Sequence, residues 1–330
     1  ADGKLTVSYE FETTLKVVII DNTFVVNVTD PQNKTVVIDN TVPNNQTVVY
    51  IPATVEIDGV NYDVTEVAED AFKNWTALTD VYMPETDEPL TIGEGAFDNG
   101  TVVTIHTPLS LLDDYALAPA LEDNFEAGKI EAPMTFSSRL VTFSCGVDVQ
   151  VPEGVVAHYV KAKNDNAVTL VDLEAADLYV GGVAAVKANN GVIFSGVKGQ
   201  TYTIVAHAGR QIPGTPVATG DAEDYADNLL EPVIEAKSYD ADKYYVLYQD
   251  EFRVIADESK VPANRAVLRK PSVNSAARLI IDVDIQDSIE NIEAIFGGTE
   301  SKWYDLQGNR INRPSAKGIY ILNGHKVAIK

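Results

Sequence analysis

The sequence predicts a mainly β protein: a short solenoid of stacked repeats behind an N-terminal β-hairpin cap, then an antiparallel β sandwich, then a small C-terminal β module. Three observations carry that expectation. The motif Glu69-Asp70-Ala71-Phe72 returns as Glu94-Gly95-Ala96-Phe97 after 25 residues (96 − 71), and self-similarity at roughly 20 to 50 residues marks stacked units. From residue 132 onward, short runs of β-branched and aromatic residues alternate with Gly, Asn and Pro, the pattern of an all-β module. At 330 residues, with 45% hydrophobic and 22% charged residues, the chain is long enough for two or three globular modules and needs no disulfide to hold them. The expected segments are 1–45, 46–131, 132–286 and 287–330.

In the first segment, "LTVSYEF" and "TFVVNV" alternate between faces, with turn chemistry at Asp21-Asn22, Asp30-Pro31 and Pro43-Asn44. Hairpins here would hide the otherwise exposed edge of the first repeat. The repeats themselves read as a strand ended by proline, a turn, and an apolar step into Ala-Phe. Thr79-Asp80-Val81-Tyr82-Met83-Pro84 recurs as Val103-Thr104-Ile105-His106-Thr107-Pro108, prolines 24 apart (108 − 84). An earlier copy, Val48-Val49-Tyr50-Ile51-Pro52, is followed by an insertion, "EIDGVNYD", that stretches the first spacing to 32 (84 − 52). Proline ends the ladder because it has no N–H to offer. Ala lets neighbouring coils approach and Phe fills the space between them. Helical spacing at Leu112, Ala116, Leu117, Leu121 and Phe125 predicts a helical cap at the far end of the repeats.

The sandwich segment carries its own duplication. Val186-Lys187-Ala188-Asn189-Asn190-Gly191-Val192-Ile193 matches Val261-Pro262-Ala263-Asn264-Arg265-Ala266-Val267-Leu268 at a distance of 75 (261 − 186). Two related halves of one sandwich account for it most simply, with the paired Asn residues suited to positive φ or to local side-chain caps. Gly209 to Asp227 reads as an exposed loop inside the sandwich, and Asp287 to Ser301 as the connection to the tail. The tail, Trp303 to Lys330, reads as hairpin strands around Gln307-Gly308-Asn309 and Asn323-Gly324. Its expected apolar face is Tyr304, Leu306, Ile319, Ile321 and Val327.

With those residues in view, "VTEVAEDAFKNWTALTDVYMP" and "TIGEGAF" resemble the BspA-like leucine-rich repeats of bacterial surface proteins, over roughly Gln46 to Pro108. The chain departs from that pattern at Ala68, where Gly is usual, and at Trp75, where a small residue or Cys is common. The pattern "VPEGVVAHYV…VKANNGVIFSG…YYVLYQ…VPANRAVL" is similar to a β module of exported Bacteroidetes proteins. The tail resembles type IX sorting domains, but has Asn309 and His325 where basic residues are common. A sorting role and a structural β cap both remain open for it. The resemblance implies a secreted or surface-displayed, adhesin-like protein whose repeat face engages a host or bacterial protein.

Composition narrows the function classes. A net charge of −24 and a pI near 4.4 set the protein's field against nucleic acid and anionic membranes. No apolar run reaches the length of a membrane span, so no membrane insertion is expected. The start at Ala1-Asp2-Gly3 suits an exported, processed chain and equally a trimmed boundary. The single cysteine, Cys145, cannot form an internal disulfide and reads as a small buried hydrophobe. His106, His158, His207 and His325 lack metal-ligand spacing and read as half-exposed strand histidines. Asp282, Asp284 and Asp287 imitate the start of a calcium loop without its Gly and closing Glu, and Asp240 with Asp242 is equally ambiguous. The sequons at Asn27, Asn33, Asn45, Asn74 and Asn99 read as polar turns.

No nucleophile-elbow, phosphate-loop, zinc-protease or dinucleotide fingerprint is present, and the expectation is a non-enzymatic protein without cofactor or metal. The candidate ligand contacts are Tyr50, Trp75 and Tyr82, on or near repeat strands. Tyr82 leads, because Val81 and Met83 would face inward. The expected partner is an extracellular protein, with host matrix one form of it; the alternatives are a glycan held by aromatic platforms on the sandwich and a purely structural surface module. An aromatic row on the sandwich would favour glycan, and an aromatic patch on the repeat ladder would favour protein.

Overall fold

In the computed structural model, the described residues are 17–20, 24–39, 45–122, 129–173, 185–206, 227–256, 259–272, 275–282, 301–314, 318–323 and 325–329. They are mainly β and fall into two compact units. The first comprises Ala1–Val103 with Pro119–Asn124; the second comprises Thr104–Ala118 with Phe125–Lys330. The expected break between residues 131 and 132 would cut the continuous strand Lys129–Thr135. That strand pairs in parallel with Thr104–His106 on one side and antiparallel with Thr201–Ala206 on the other, which ties the third repeat strand to the second unit.

In the first unit, Val17–Ile20, Phe24–Asp30 and Thr35–Asp39 form an antiparallel meander. Its last strand continues in parallel into Val60–Val67, which pairs in parallel with Thr91–Ile92. The "EIDGVNYD" insertion is a hairpin between Thr54–Ile57 and Val60–Val67. Asp58 (φ 53°) and Gly59 (φ 77°) both take the left-handed conformation of a tight hairpin turn. A second parallel pair joins Val48–Tyr50 to Asp80–Tyr82. The segment "LTVSYEF" and the turns at Asp21-Asn22 and Pro43-Asn44 lie outside the described residues.

Between these ladders the two Ala-Phe copies stack. The Phe72 N–H donates to Ala96 O (2.8 Å), the Asp70 N–H to Glu94 O (3.1 Å) and the Gly93 N–H to Val67 O (2.7 Å). Phe72 and Phe97 lie ring on ring, centroids 5.4 Å apart. Asp70 (φ 57°) and Gly95 (φ 65°), 25 positions apart, hold the same left-handed turn. Asn99 is buried, its Nδ2 donating to Trp75 O (2.8 Å) and Leu78 O (3.1 Å) while Oδ1 accepts from Thr101 N–H and Oγ1–H. Asn99 is therefore an internal brace between copies and not a polar surface turn. Asn27 also departs from the turn reading, since it lies inside Phe24–Asp30 with its amide on Asp39 (2.5 Å).

The helical cap is interrupted within the described residues, and its last expected position, Phe125, lies outside them. A 3-10 turn at Leu109–Leu111 leads into Leu112–Ala116, and Pro119 opens a separate turn, Pro119–Glu122; a helix interior cannot accommodate that ring. Leu112, Tyr115 and Ala116 are buried.

The second unit contains a long sheet whose described strands run in the order Leu140–Phe143, Val192–Ser195, Val156–Asn164, Ala167–Asp172, Arg278–Asp282, Glu251–Val254, Tyr244–Tyr248, Arg265–Arg269, Leu230–Val233. It is antiparallel except where Ala167–Asp172 meets Arg278–Asp282. Either side of Arg278–Asp282, four strands repeat one arrangement: in chain order they lie first, fourth, second, third. Each half also carries a two-residue pair whose later strand comes just before its fourth strand in the chain, Val149–Gln150 with Ala185–Val186 and Lys237–Ser238 with Lys260–Val261. Asn189 (φ 61°) and Asn264 (φ 56°) occupy the same left-handed position in the two copies. The halves meet at matching residues, since a Cβ on Gly191 would sit 2.8 Å from that of its counterpart, Ala266.

Leu140, Val160, Val168, Leu170 and Ile193 from one half bury in one core with Leu230, Tyr245, Phe252 and Leu268 from the other and Leu279 from the strand between them. Side chains also tie the end strand Leu140–Phe143 and the residues beside it to the other half of the sheet. Ser144 Oγ–H donates to Arg265 O (2.6 Å) and accepts from Val233 N–H (3.1 Å), and the Asp250 carboxylate accepts from Leu140 N–H (3.0 Å) and pairs with Arg139 (3.2 Å).

The tail forms its own sheet in the order Arg310–Ile311, Trp303–Tyr304, Gly318–Leu322, His325–Ile329. Among the described side chains its inward face is one residue out of phase with the expectation, and the Val327 side chain lies outside them. Trp303 and Leu322 are paired in register and buried in the core just described, with Ile311 and Tyr320 packed beside them, while Leu306 and Ile319 are exposed. The largest apolar surface in the tail, the indole, sets which face turns in.

Candidate functional site

Tyr50 and Tyr82 end the paired strands Val48–Tyr50 and Asp80–Tyr82, directly opposite each other in register. Strand alternation places Val49 and Val81 in the core, Met83 is buried as well, and the two tyrosines emerge on the outer face. Tyr50 is 67% exposed and Tyr82 36%. The rings stack at 4.7 Å between centroids and 18° between planes. They form a small aromatic shelf held by backbone pairing, with the Ile51 N–H donating to Tyr82 O (2.8 Å). Asp80 lies on the same strand two residues before Tyr82, its carboxylate accepting from Thr79 Oγ1–H (2.7 Å).

Trp75 does not join this surface. It is fully buried, edge-on to Phe72 at 5.2 Å, and among the described residues its indole N–H has no hydrogen-bond partner. Trp75 sits between Phe72 and Leu78 in the turn that closes the repeat, where apolar volume outweighs one unpaired N–H. It is a core residue and not a ligand contact.

On the second unit three tyrosines, the exposed Tyr248 and the half-buried Tyr159 and Tyr239, each lie against a cation. Lys161 lies 5.1 Å from the Tyr159 ring, Lys237 5.0 Å from Tyr239 and Arg253 4.8 Å from Tyr248. A ring face covered by a cation is not offered to a sugar for stacking.

A polar constellation invisible in the sequence crosses three neighbouring strands. His158 Nδ1 is 2.6 Å from Asp172 Oδ1, and His158 Nε2 is 2.8 Å from Ser195 Oγ. The residue types are those of an acyl-transfer triad. Accessibility differs: His158 is fully buried and Ser195 is 3% exposed, so no substrate carbonyl can reach the hydroxyl while the strands stay paired. What the arrangement does is satisfy both imidazole nitrogens inside the sheet. His158 is thus a buried, doubly bonded histidine and not a half-exposed one. The signal available in sequence was the hairpin around Asn164-Asp165-Asn166, whose register sets His158 opposite Asp172.

Cys145 is buried, as its apolar surroundings imply, and donates its S–H to Asp113 Oδ1 (2.6 Å). Burial first, and then the neighbouring Asp113 carboxylate, push the thiol well above its ordinary range, which keeps it protonated and unreactive. His106 is half-buried with Nδ1 3.8 Å from Glu131; His207 and the His325 side chain lie outside the described residues. Asp240 accepts from the Asp242 N–H (2.9 Å) and pairs with Lys243 (3.0 Å), which lowers its carboxyl below the usual range. That is a local turn contact and not a cation cage. Asp284 and Asp287, and nearly all of the Gly209–Asp227 and Asp287–Ser301 stretches, lie outside the described residues. Among the described residues no group of three or more His, Cys, Asp and Glu is placed to hold a metal, and no helix is long and apolar enough to cross a membrane.

Comparison with protein-family models, with curated proteins and with solved structures finds no match to this chain.

Proposed function

We propose that this chain is a non-enzymatic binding protein of the cell exterior, adhesin-like, that engages another protein through the outer face of its repeat ladder. The observation that carries the reading is the Tyr50–Tyr82 shelf: two stacked, outward aromatic rings on backbone-paired strands. Such rings offer large contact area with little side-chain entropy to lose, the usual character of interface anchors. The BspA-like repeat assignment is supported by parallel pairing of corresponding strands and by the Phe72–Phe97 stack between consecutive copies. The glycan reading is weaker because Tyr159, Tyr239 and Tyr248 of the second unit carry cations over their rings.

The test is a binding screen of the purified chain against immobilised extracellular matrix proteins and a glycan array. We expect saturable binding to protein. Truncating one ring, Tyr82→Ala or Tyr50→Ala, should weaken it by about tenfold or more, as loss of an anchor worth ~1–2 kcal/mol would. Binding only to glycans, unchanged in both variants, would reject the repeat face as the site.

A further inference from the structure

Among the described residues, the N-terminal meander covers one of the two parallel ladders and not the other. Thr35–Asp39 lies against Val60–Val67, so that ladder is extended by three further strands. Among the described residues no strand pairs with the outer side of Val48–Tyr50. In a parallel pair, alternate residues direct their N–H and C=O to opposite sides. Here the Ile51 N–H and the Thr47 C=O bond toward the Asp80–Tyr82 strand; the backbone groups of Val48 and Tyr50 therefore point away from it. The open edge lies beside the tyrosine shelf.

The stretch of chain that carries this edge is lopsided in charge. Between Asn45 and Val103 the sequence has twelve Asp and Glu residues and one basic residue, Lys73. Lys73 is itself paired with Asp70 at 2.8 Å. The whole chain, by contrast, has 49 acidic to 25 basic residues. An acidic strand edge repels a second acidic strand and attracts a basic one.

We infer that the occupant of this edge is an extended, lysine- or arginine-bearing segment of the partner protein, added as a further strand to Val48–Tyr50 and covering the Tyr50 ring. This rests on the protein-binding reading above and specifies its partner. Backbone bonds to Val48 and Tyr50 would set the register, the tyrosines would take an apolar residue of the segment, and the acidic surround would select its charge.

The probe is a fluorescein-labelled peptide of alternating Lys and Val, read by anisotropy on the whole chain. Two controls accompany it: an alternating Glu-Val peptide, and the Lys-Val peptide N-methylated at every second residue. The expected result is saturable binding of the Lys-Val peptide, about tenfold weaker after N-methylation because two strand bonds are lost, and none of the Glu-Val peptide. Val48→Pro should weaken binding similarly, since it removes an outward N–H that the existing pair does not use. Should that variant unfold, the N-methylated peptide on the unaltered chain still decides. Equal binding of methylated and unmethylated peptides would reduce the effect to charge alone and overturn the inference. So would absence of Lys-Val binding, or dimerisation in sedimentation that Val48→Pro abolishes, which would give the edge to a second copy. Matrix-protein binding that depends on Tyr82 but comes without Lys-Val binding would overturn this inference and leave the broader function standing.

Discussion

Single atoms decide several positions in the repeat. A Cβ on Gly93 would lie 2.3 Å from the Glu69 nitrogen and 2.5 Å from the Ala68 carbonyl carbon, backbone atoms that cannot swing aside. Gly93→Ala is expected to cost about 3 kcal/mol in urea unfolding, at the upper end for overpacking. Ala68, its counterpart 25 residues earlier, carries a Cβ because its N–H bonds to Ile38 O of the meander and not to another Ala-Phe copy. The departure from the repeat pattern at Ala68 was legible in the sequence; its cause was not, since it depends on which strand lies beneath. Trp75 makes a second case. Trp75→Ala should cost roughly 3–5 kcal/mol, whereas Trp75→Phe should cost only ~1 kcal/mol, because it gives up area but also removes the unpaired buried N–H. Equal thermal destabilisation in the two variants would contradict the burial argument.

Elements in this chain are specified by short-range pattern, and their polar contents by pairing. The hairpin Val156–Asn164 with Ala167–Asp172 can be read from alternation and the turn residues between them. That His158 should meet Ser195 as well as Asp172 requires Val192–Ser195 to lie on the other side of Val156–Asn164, a pairing that no local signal announces. Ser195→Ala leaves His158 Nε2 without that partner inside a closed sheet, and should destabilise by about 1–3 kcal/mol. Chemical denaturation measures the loss, and an unchanged midpoint would mean that the hydroxyl adds nothing to the clamp. The tail shows the converse limit. Its strands were readable, yet its inward face was misphased because Trp303 and Leu322 answer to a core built by distant strands.

Across the second unit, the 75-residue match exposed a duplication from eight residues, and the strand order repeats on either side of Arg278–Asp282. The order itself was not legible, because each half pairs its first strand with its fourth across intervening segments. The elements that follow each copy also diverge: Thr201–Ala206 joins the sheet of Lys129–Thr135, while Arg278–Asp282 bridges the halves. The junction between the end strand Leu140–Phe143 and the other half of the sheet is held differently from the strands themselves. Among the described residues it rests on side chains reaching across, those of Ser144, Asp250, Asn264 and Arg265, with no ladder of successive backbone bonds. A zipper must come apart tooth by tooth, whereas a seam fastened at a few buttons parts when one of them fails. The first breathing of the second unit is therefore expected along that seam, with the Val233 and Leu140 amides exchanging their protons before those of Phe252 and Leu268 in native-state hydrogen exchange.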